Sequence, residues 1–272
     1  MGQDKRSVGF YVLAVFFVLF VLFLYGPLSA VFILSFQGPQ GGLTFPLNGV
    51  STRWFQNLFE TQAVGNFGAS FGRSLTLGLM VMLATVLVSL LAGLAFRRKF
   101  VGASPLFYLT VASLVVPSII VSLGIGVLFQ QIGIQPNWFS SGFGAHLTWT
   151  LPFGVLIMFA VFNRFSPAYE EAARDLGASS WQTFAHVVLP MIAPSLIGVG
   201  LFGFSLSYDE FARTLLTSGS SNTLPLEIYG MTTNVTTPVL YALGTVTTVF
   251  SFLVILATLA IILVVNRRRA AA

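Results

Sequence analysis

Between Lys99 and Arg164 the chain carries no Asp, Glu, Lys or Arg. This gap is the strongest constraint in the sequence, because a soluble domain of comparable length places charges throughout, at about 25% of its residues. The run from Phe100 to Asn163 is long enough for two membrane-crossing helices of about 20 residues and a connection between them. Gly133, Pro136, Asn137 and Ser140 to Gly144 supply turn formers for that connection. The whole chain follows the same pattern: of 272 residues, 56% are hydrophobic and 8% charged, and the mean hydropathy is +0.88. An exterior built from these residues faces lipid, so the chain reads as an integral membrane protein. Intrinsic disorder is excluded by the 28 Phe and the high aliphatic content.

Ionisable residues delimit the spans, since an unpaired charge at the bilayer centre costs about 2.5 to 3.5 kcal/mol. Six transmembrane helices are predicted, at about 8–36, 74–96, 104–131, 147–163, 191–213 and 240–265, in one all-α transmembrane domain over 1–272. The first exceeds the about 7 to 15 apolar residues of a signal-peptide core and reads as a retained helix. Basic clusters at Lys5 and Arg6, at Arg97 to Lys99 and at Arg267 to Arg269 all fall on one face of such a bundle. That face is cytoplasmic by the positive-inside rule, with both termini on it, and loops at about 37–72, 131–146 and 214–238 are external.

Several chemistries are absent from the sequence. There is no cysteine, hence no disulfide or thiolate metal site. Neither lysine, Lys5 or Lys99, follows a glycine, so no phosphate-binding P-loop exists. His146 and His186, expected on opposite faces, form no metal pair. The net charge of +5 is concentrated in membrane-edge clusters, which argues against nucleic-acid binding. An intramembrane enzyme would need paired acids, a Ser–His pair or metal ligands within the spans, and none is seen.

The cytoplasmic segment 164–190 is polar without resembling a loop. Ser166 and Pro167 can start a helix, Glu170 and Glu171 favour its first turn, and Ala172, Ala173 and Leu176 extend it until Gly177 interrupts. Ser179 or Ser180 can cap a second short helix carrying Trp181, Phe184 and Val188 on one face, both helices lying on the inner membrane surface. Within this segment Glu171-Ala172-Ala173, then Gly177, then Val187, Leu189 and Pro190 fall at spacings that resemble the EAA loop of ABC importer permeases, with Val187 in place of the commoner isoleucine. The sequences FLYGPLSAVFILSF, GRSLTLGLMVMLATVLVSLLAGLAF and LPLEIYGMTTN extend the resemblance from about Leu24 to Leu256 and are similar to the spermidine/putrescine-type branch.

The resemblance implies a type I importer permease fold in the bacterial cytoplasmic (inner) membrane. It implies partners as well: a second, related permease, two cytoplasmic ATPase subunits and an external solute-binding protein. This chain would hold no cofactor, ATP and Mg residing on the ATPase. Glu170, Glu171, Ala172, Ala173, Gly177, Val187, Leu189 and Pro190 are the expected ATPase-coupling residues. Glu171 would offer a carboxylate to a basic residue of the ATPase, small Ala172 and Ala173 would allow close contact, and Gly177 would permit the turn.

Asp209 and Glu210 directly follow the fifth apolar segment, Met191 to Tyr208, and match the paired acids of polyamine-type permeases, which would attract a cation. Arg213, four residues after Asp209 and three after Glu210, makes an ordinary helix-end salt bridge among these three charges the competing reading. Ser118 stands where polyamine-type relatives often carry an acid. Trp54 and Tyr208 could contact an ammonium group or anchor the membrane interface. The expected solute is a polyamine. The alternatives are an amino-acid-like, phosphonate or other small organic solute in the same importer class, or an ATP-independent carrier.

Overall fold

A computed structural model describes residues 7–60, 65–234 and 237–270. Lys5 and Arg6, and the side chains of Arg268 and Arg269, lie outside the described residues. Every regular element among the described residues is helical, and the one β-type pairing there is an isolated antiparallel bridge between Gln37 and Val50. The chain forms two compact units, 1–66 with 230–252 and 67–229 with 253–272.

In the first unit, α1 (Val8–Leu34) starts where the Ser7 hydroxyl accepts the Phe10 N–H at 3.4 Å. The loop that follows is organised by Gln37, whose side-chain oxygen accepts N–H groups from Asn48 at 2.7 Å and Gly38 at 3.1 Å. A wholly buried amide is tolerated because its partners are supplied locally. The short α2 (Arg53–Asn57) follows.

In the second unit, α3 (Phe67–Phe96) packs against α6 (Phe143–Arg164) and α9 (Leu189–Tyr208). Thr85 sits at the seam. A Cβ on Gly154 of α6 would collide with Ser89 and approach Thr85, and one on Gly203 of α9 would press on Thr85 from the other side. Small residues thus let three backbones approach where lipid supplies no hydrophobic drive, and Thr85 Oγ1 bonds Thr150 Oγ1 at 2.8 Å across the contact. Towards one end the seam becomes apolar, around Met158, Phe162, Val188, Ile192 and Val199.

Among the described residues five helices are long and apolar enough to cross a membrane: Val8–Leu34, Phe67–Phe96, Trp138–Arg164, Ser180–Tyr208 and Val239–Val265. The expected helix at 104–131 is instead two shorter ones, α4 (Ala103–Ala112) and α5 (Ser118–Gln131). Pro117 explains the break, since it lacks an amide donor and biases Val116 away from helical backbone angles. The second span starts at Phe67 rather than near 74, because Arg73 turns outward and its Nε donates to the Asn222 carbonyl at 2.5 Å. The fourth starts with a π-turn, Trp138–Gly142, capped by the Asn137 side chain, so His146 lies inside a helix and not at the end of an external loop.

The fifth span also differs from expectation. After α7 (Ala168–Asp175), α8 (Ser180–Thr183) runs through a π-turn, Phe184–Val188, into α9, so the second short helix is the start of the long one. Pro190 and Pro194 remove two amide donors at this junction, which favours the wider turn before them. The helix ends at Tyr208, and 209–213 is non-helical. Then α10 (Leu224–Asn234) leads to α11 (Val239–Ala270).

Candidate functional site

The elbow between α6 and α9 is built locally. Pro167 precedes α7, two acids occupy its first turn and Arg174 its last, which suits the helix dipole. Gly177 has φ +85°, a left-handed conformation that reverses the chain with little strain only in glycine. Ser179 and Gln182 then form a reciprocal capping box, the Gln182 side chain accepting the Ser179 N–H at 2.8 Å and the Ser179 hydroxyl accepting the Gln182 N–H at 3.3 Å.

Neighbouring acids in α7 have different surroundings. Glu170 pairs with Arg97 at 2.6 Å and with Arg174 at 3.6 Å. Glu171 and Ala172 are exposed, Ala173 and Val187 half-buried, and Leu189 and Pro190 begin α9. Around them Tyr169 is 52% exposed, Trp181 72% and Leu176 90%, an uncovered apolar surface on an otherwise polar segment.

A second constellation centres on Arg213, whose side chain is completely buried. Its Nη1 donates to Ser118 Oγ at 2.7 Å and lies 3.6 Å from Glu210 Oε2, while Nε donates to Thr148 Oγ1 at 3.3 Å. The guanidinium carbon is 4.6 Å from the centroid of Trp149. A planar, multiply donating, stackable cation meets these partners together, as an ammonium would not. The non-helical backbone around it is fastened by hydroxyls: Ser122 Oγ donates to the Arg213 carbonyl at 2.8 Å and accepts from Leu216 N–H at 3.1 Å, and Ser141 Oγ donates to the Thr217 carbonyl at 2.7 Å. His146 bridges Ser207 and Thr214 at 2.7 and 2.9 Å. Irregular backbone in a membrane protein is tolerated where it is buried and hydrogen-bonded within the protein, which the Ser122 and Ser141 hydroxyls provide here.

Of the expected pathway residues, Ser118 and Glu210 therefore meet at one cation. Asp209 is exposed and has no ion pair among the described residues. Tyr208 is buried, its ring stacked on Phe204 at 5.7 Å and edge-on to Phe71 at 6.3 Å. Trp54, in the other unit, donates its indole N–H to the Gln37 carbonyl at 2.7 Å and secures the loop there.

Residues 85–270 match the family described as binding-protein-dependent transport system inner membrane component. The chain belongs to that family. It is thus the permease component of a binding-protein-dependent ABC importer, a non-catalytic, multi-pass protein of the bacterial inner membrane. The spermidine/putrescine transport system permease protein PotC of Escherichia coli (strain K12) is 29% identical over 238 residues, covering 87% of this permease and 88% of PotC. The putrescine transport system permease protein PotI of the same strain is 28% identical over 231 residues, covering 82% and 80%. A bacterial ABC transporter involved in the import of the acidic polysaccharide alginate superposes with a TM-score of 0.74 at 16% identity, over 95% of this permease and 96% of that chain. That likeness is one of fold.

The Arg213 ion pair with Glu210 is the salt bridge the sequence offered as the competing reading; the wider hub, with His146 as a bridge and with Ser122, Thr148 and Thr214, was not singled out by sequence reasoning. The available signal was their polarity: hydroxyls and an imidazole beside apolar runs need partners inside the protein.

Proposed function

We propose that this permease carries polyamines, such as spermidine or putrescine, across the bacterial inner membrane together with a second related permease, two ATPase subunits and a periplasmic binding protein. ATP and Mg bind the ATPases, and this chain needs no cofactor. The observation that carries the reading is the α7 elbow. A helix bearing Glu171, Ala172 and Ala173, turned by Gly177 and surrounded by exposed Tyr169, Leu176 and Trp181, has the charge and apolar surface of a docking element.

In this arrangement both termini and α7 are cytoplasmic, and α4 with α5 make a broken third crossing that brings the total to six. Movement of the docked ATPases displaces the elbow as a rigid body, and α9, continuous with it from Ser180, carries the displacement into the pathway. The polyamine assignment is supported by similarity to PotC and PotI and by the exposed carboxylate of Asp209.

The test is purification of the tagged permease from its native membrane in mild detergent, mass spectrometry of the copurifying chains, and ATP hydrolysis with candidate binding proteins and solutes. Copurification of an ATPase and a second permease, with hydrolysis stimulated by a polyamine-loaded binding protein, is expected. A chain that purifies alone and moves solute without nucleotide would overturn the reading in favour of a carrier. Stimulation by a non-polyamine alone would overturn the substrate.

A further inference from the structure

Arg97 lies just beyond the end of α3 and outside the segment that resembles the EAA loop, yet it makes the shorter ion pair to α7. Its Nη1 is 2.6 Å from Glu170 Oε1, and its guanidinium carbon is 5.2 Å from the ring centroid of Phe162 and 5.5 Å from that of Phe165. The Arg97 and Glu170 side chains are only 23% and 14% exposed. They border a cavity of about 540 Å³ also lined by Leu94, Ala95, Arg98 and Arg174. Such a partly desolvated pair, with the cation held against aromatic rings, is more persistent than an ion pair in water.

The chain path explains why this contact matters. Phe165 to Pro167 connect α7 to α6, and Leu176 to Ser179, turned at Gly177, connect it to α8, which runs on into α9. No covalent connection of that kind runs from α7 to α3, the helix that packs against both α6 and α9. We propose that Arg97 is the positioning residue that fixes α7 to α3, so that displacement of the coupling elbow moves the second span together with the fifth. This rests on the docking role proposed for α7.

Arg174 gives the contact a second state. It reaches the other Glu170 oxygen at 3.6 Å from within α7, as an i,i+4 pair, and is 58% exposed. When α7 tilts away from α3, Glu170 keeps a cationic partner on its own helix, so release leaves no bare carboxylate. The link is therefore both specific and reversible.

The permease contains no cysteine, which makes paired spin labels direct. Labels at L91C on α3 and D175C at the end of α7, both exposed positions, report the distance between the two elements in the assembled importer. The distribution is expected to be narrow in the parent, broader in E170Q and in R97Q, and close to the parent's in R97K, which keeps the cation beside Glu170. R97Q is further expected to retain the copurifying ATPases while lowering solute transported per ATP by about tenfold, with partial recovery in R97K. Unchanged distances in both single variants, or unchanged transport per ATP in R97Q, would overturn the proposal. If the parent permease failed to hold an ATPase, the docking reading would fall, and the label distances alone would still decide whether Arg97 ties α7 to α3.

Discussion

Glu210 holds Arg213 by two routes at once: Oε1 accepts the Arg213 backbone N–H at 2.9 Å while Oε2 lies 3.6 Å from its Nη1. Adjacent acids with the same charge in the sequence consequently have different environments. Glu210 offsets a buried cation, and Asp209 is left to the surface.

Substitution should separate the two. Glu210→Ala leaves the Arg213 charge buried without its counterion and is expected to cost about 3 kcal/mol of stability. Asp209→Asn, at an exposed position, should change stability by less than about 0.5 kcal/mol while reducing uptake of a polycation. Thermal unfolding in detergent and solute uptake in vesicles make the comparison. Equal destabilisation by both variants would refute the division of roles.

Arg213→Lys tests shape at constant charge. An ammonium cannot reach Ser118, Thr148 and Glu210 from one plane while covering Trp149, so about 1 to 3 kcal/mol should be lost although the charge is retained. A lysine variant as stable as the parent would mean that charge alone matters at this position.

The legible part of this molecule was set by local chemistry. Charge-free runs mark lipid-facing helices because burying a charge is costly, and Glu170 to Gly177 identify a helix and its stop because dipole and backbone preferences act within a few residues. The break at Pro117 was legible in principle, yet the unbroken run of apolar residues outweighed it. The Arg213–Glu210 ion pair was legible as a local contact three residues apart, but the rest of the hub was not, since Ser118 and Thr148 reach Arg213 only through tertiary packing, across sequence separations of up to 95 residues. Arg73 shows the converse error: a charge taken to delimit a helix lies inside one, its side chain turned to the Asn222 carbonyl.

Two left-handed glycines should respond unequally to alanine. Gly177 has φ +85° with open space where a Cβ would stand, so Gly177→Ala pays only conformational strain, about 1 to 2 kcal/mol. Gly219 has φ +67°, and a Cβ there would also collide with the Pro136 carbonyl, so Gly219→Ala should be the more damaging of the two. Parallel thermal scans decide it, the reverse order arguing against the close approach of 219 to 136. Gly177→Ala should additionally weaken transport relative to ATP hydrolysis, because it changes the angle of the elbow.

His146 sets a directional hydrogen-bond chain. The Thr214 hydroxyl donates to the Glu210 carbonyl at 2.5 Å, so towards the imidazole its oxygen acts as acceptor, which places the ring proton on Nε2 and leaves Nδ1 to accept from Ser207. Thr214→Val then strips the partner from both a buried N–H and a buried carbonyl, whereas Ser207→Ala strips only an acceptor's partner. Thr214→Val is expected to cost about 1 to 3 kcal/mol and Ser207→Ala less, because an unpaired buried donor is the harder group to leave unsatisfied. Thermal unfolding of the two variants beside the parent checks the order. Greater damage from Ser207→Ala would reverse the assigned direction of the chain.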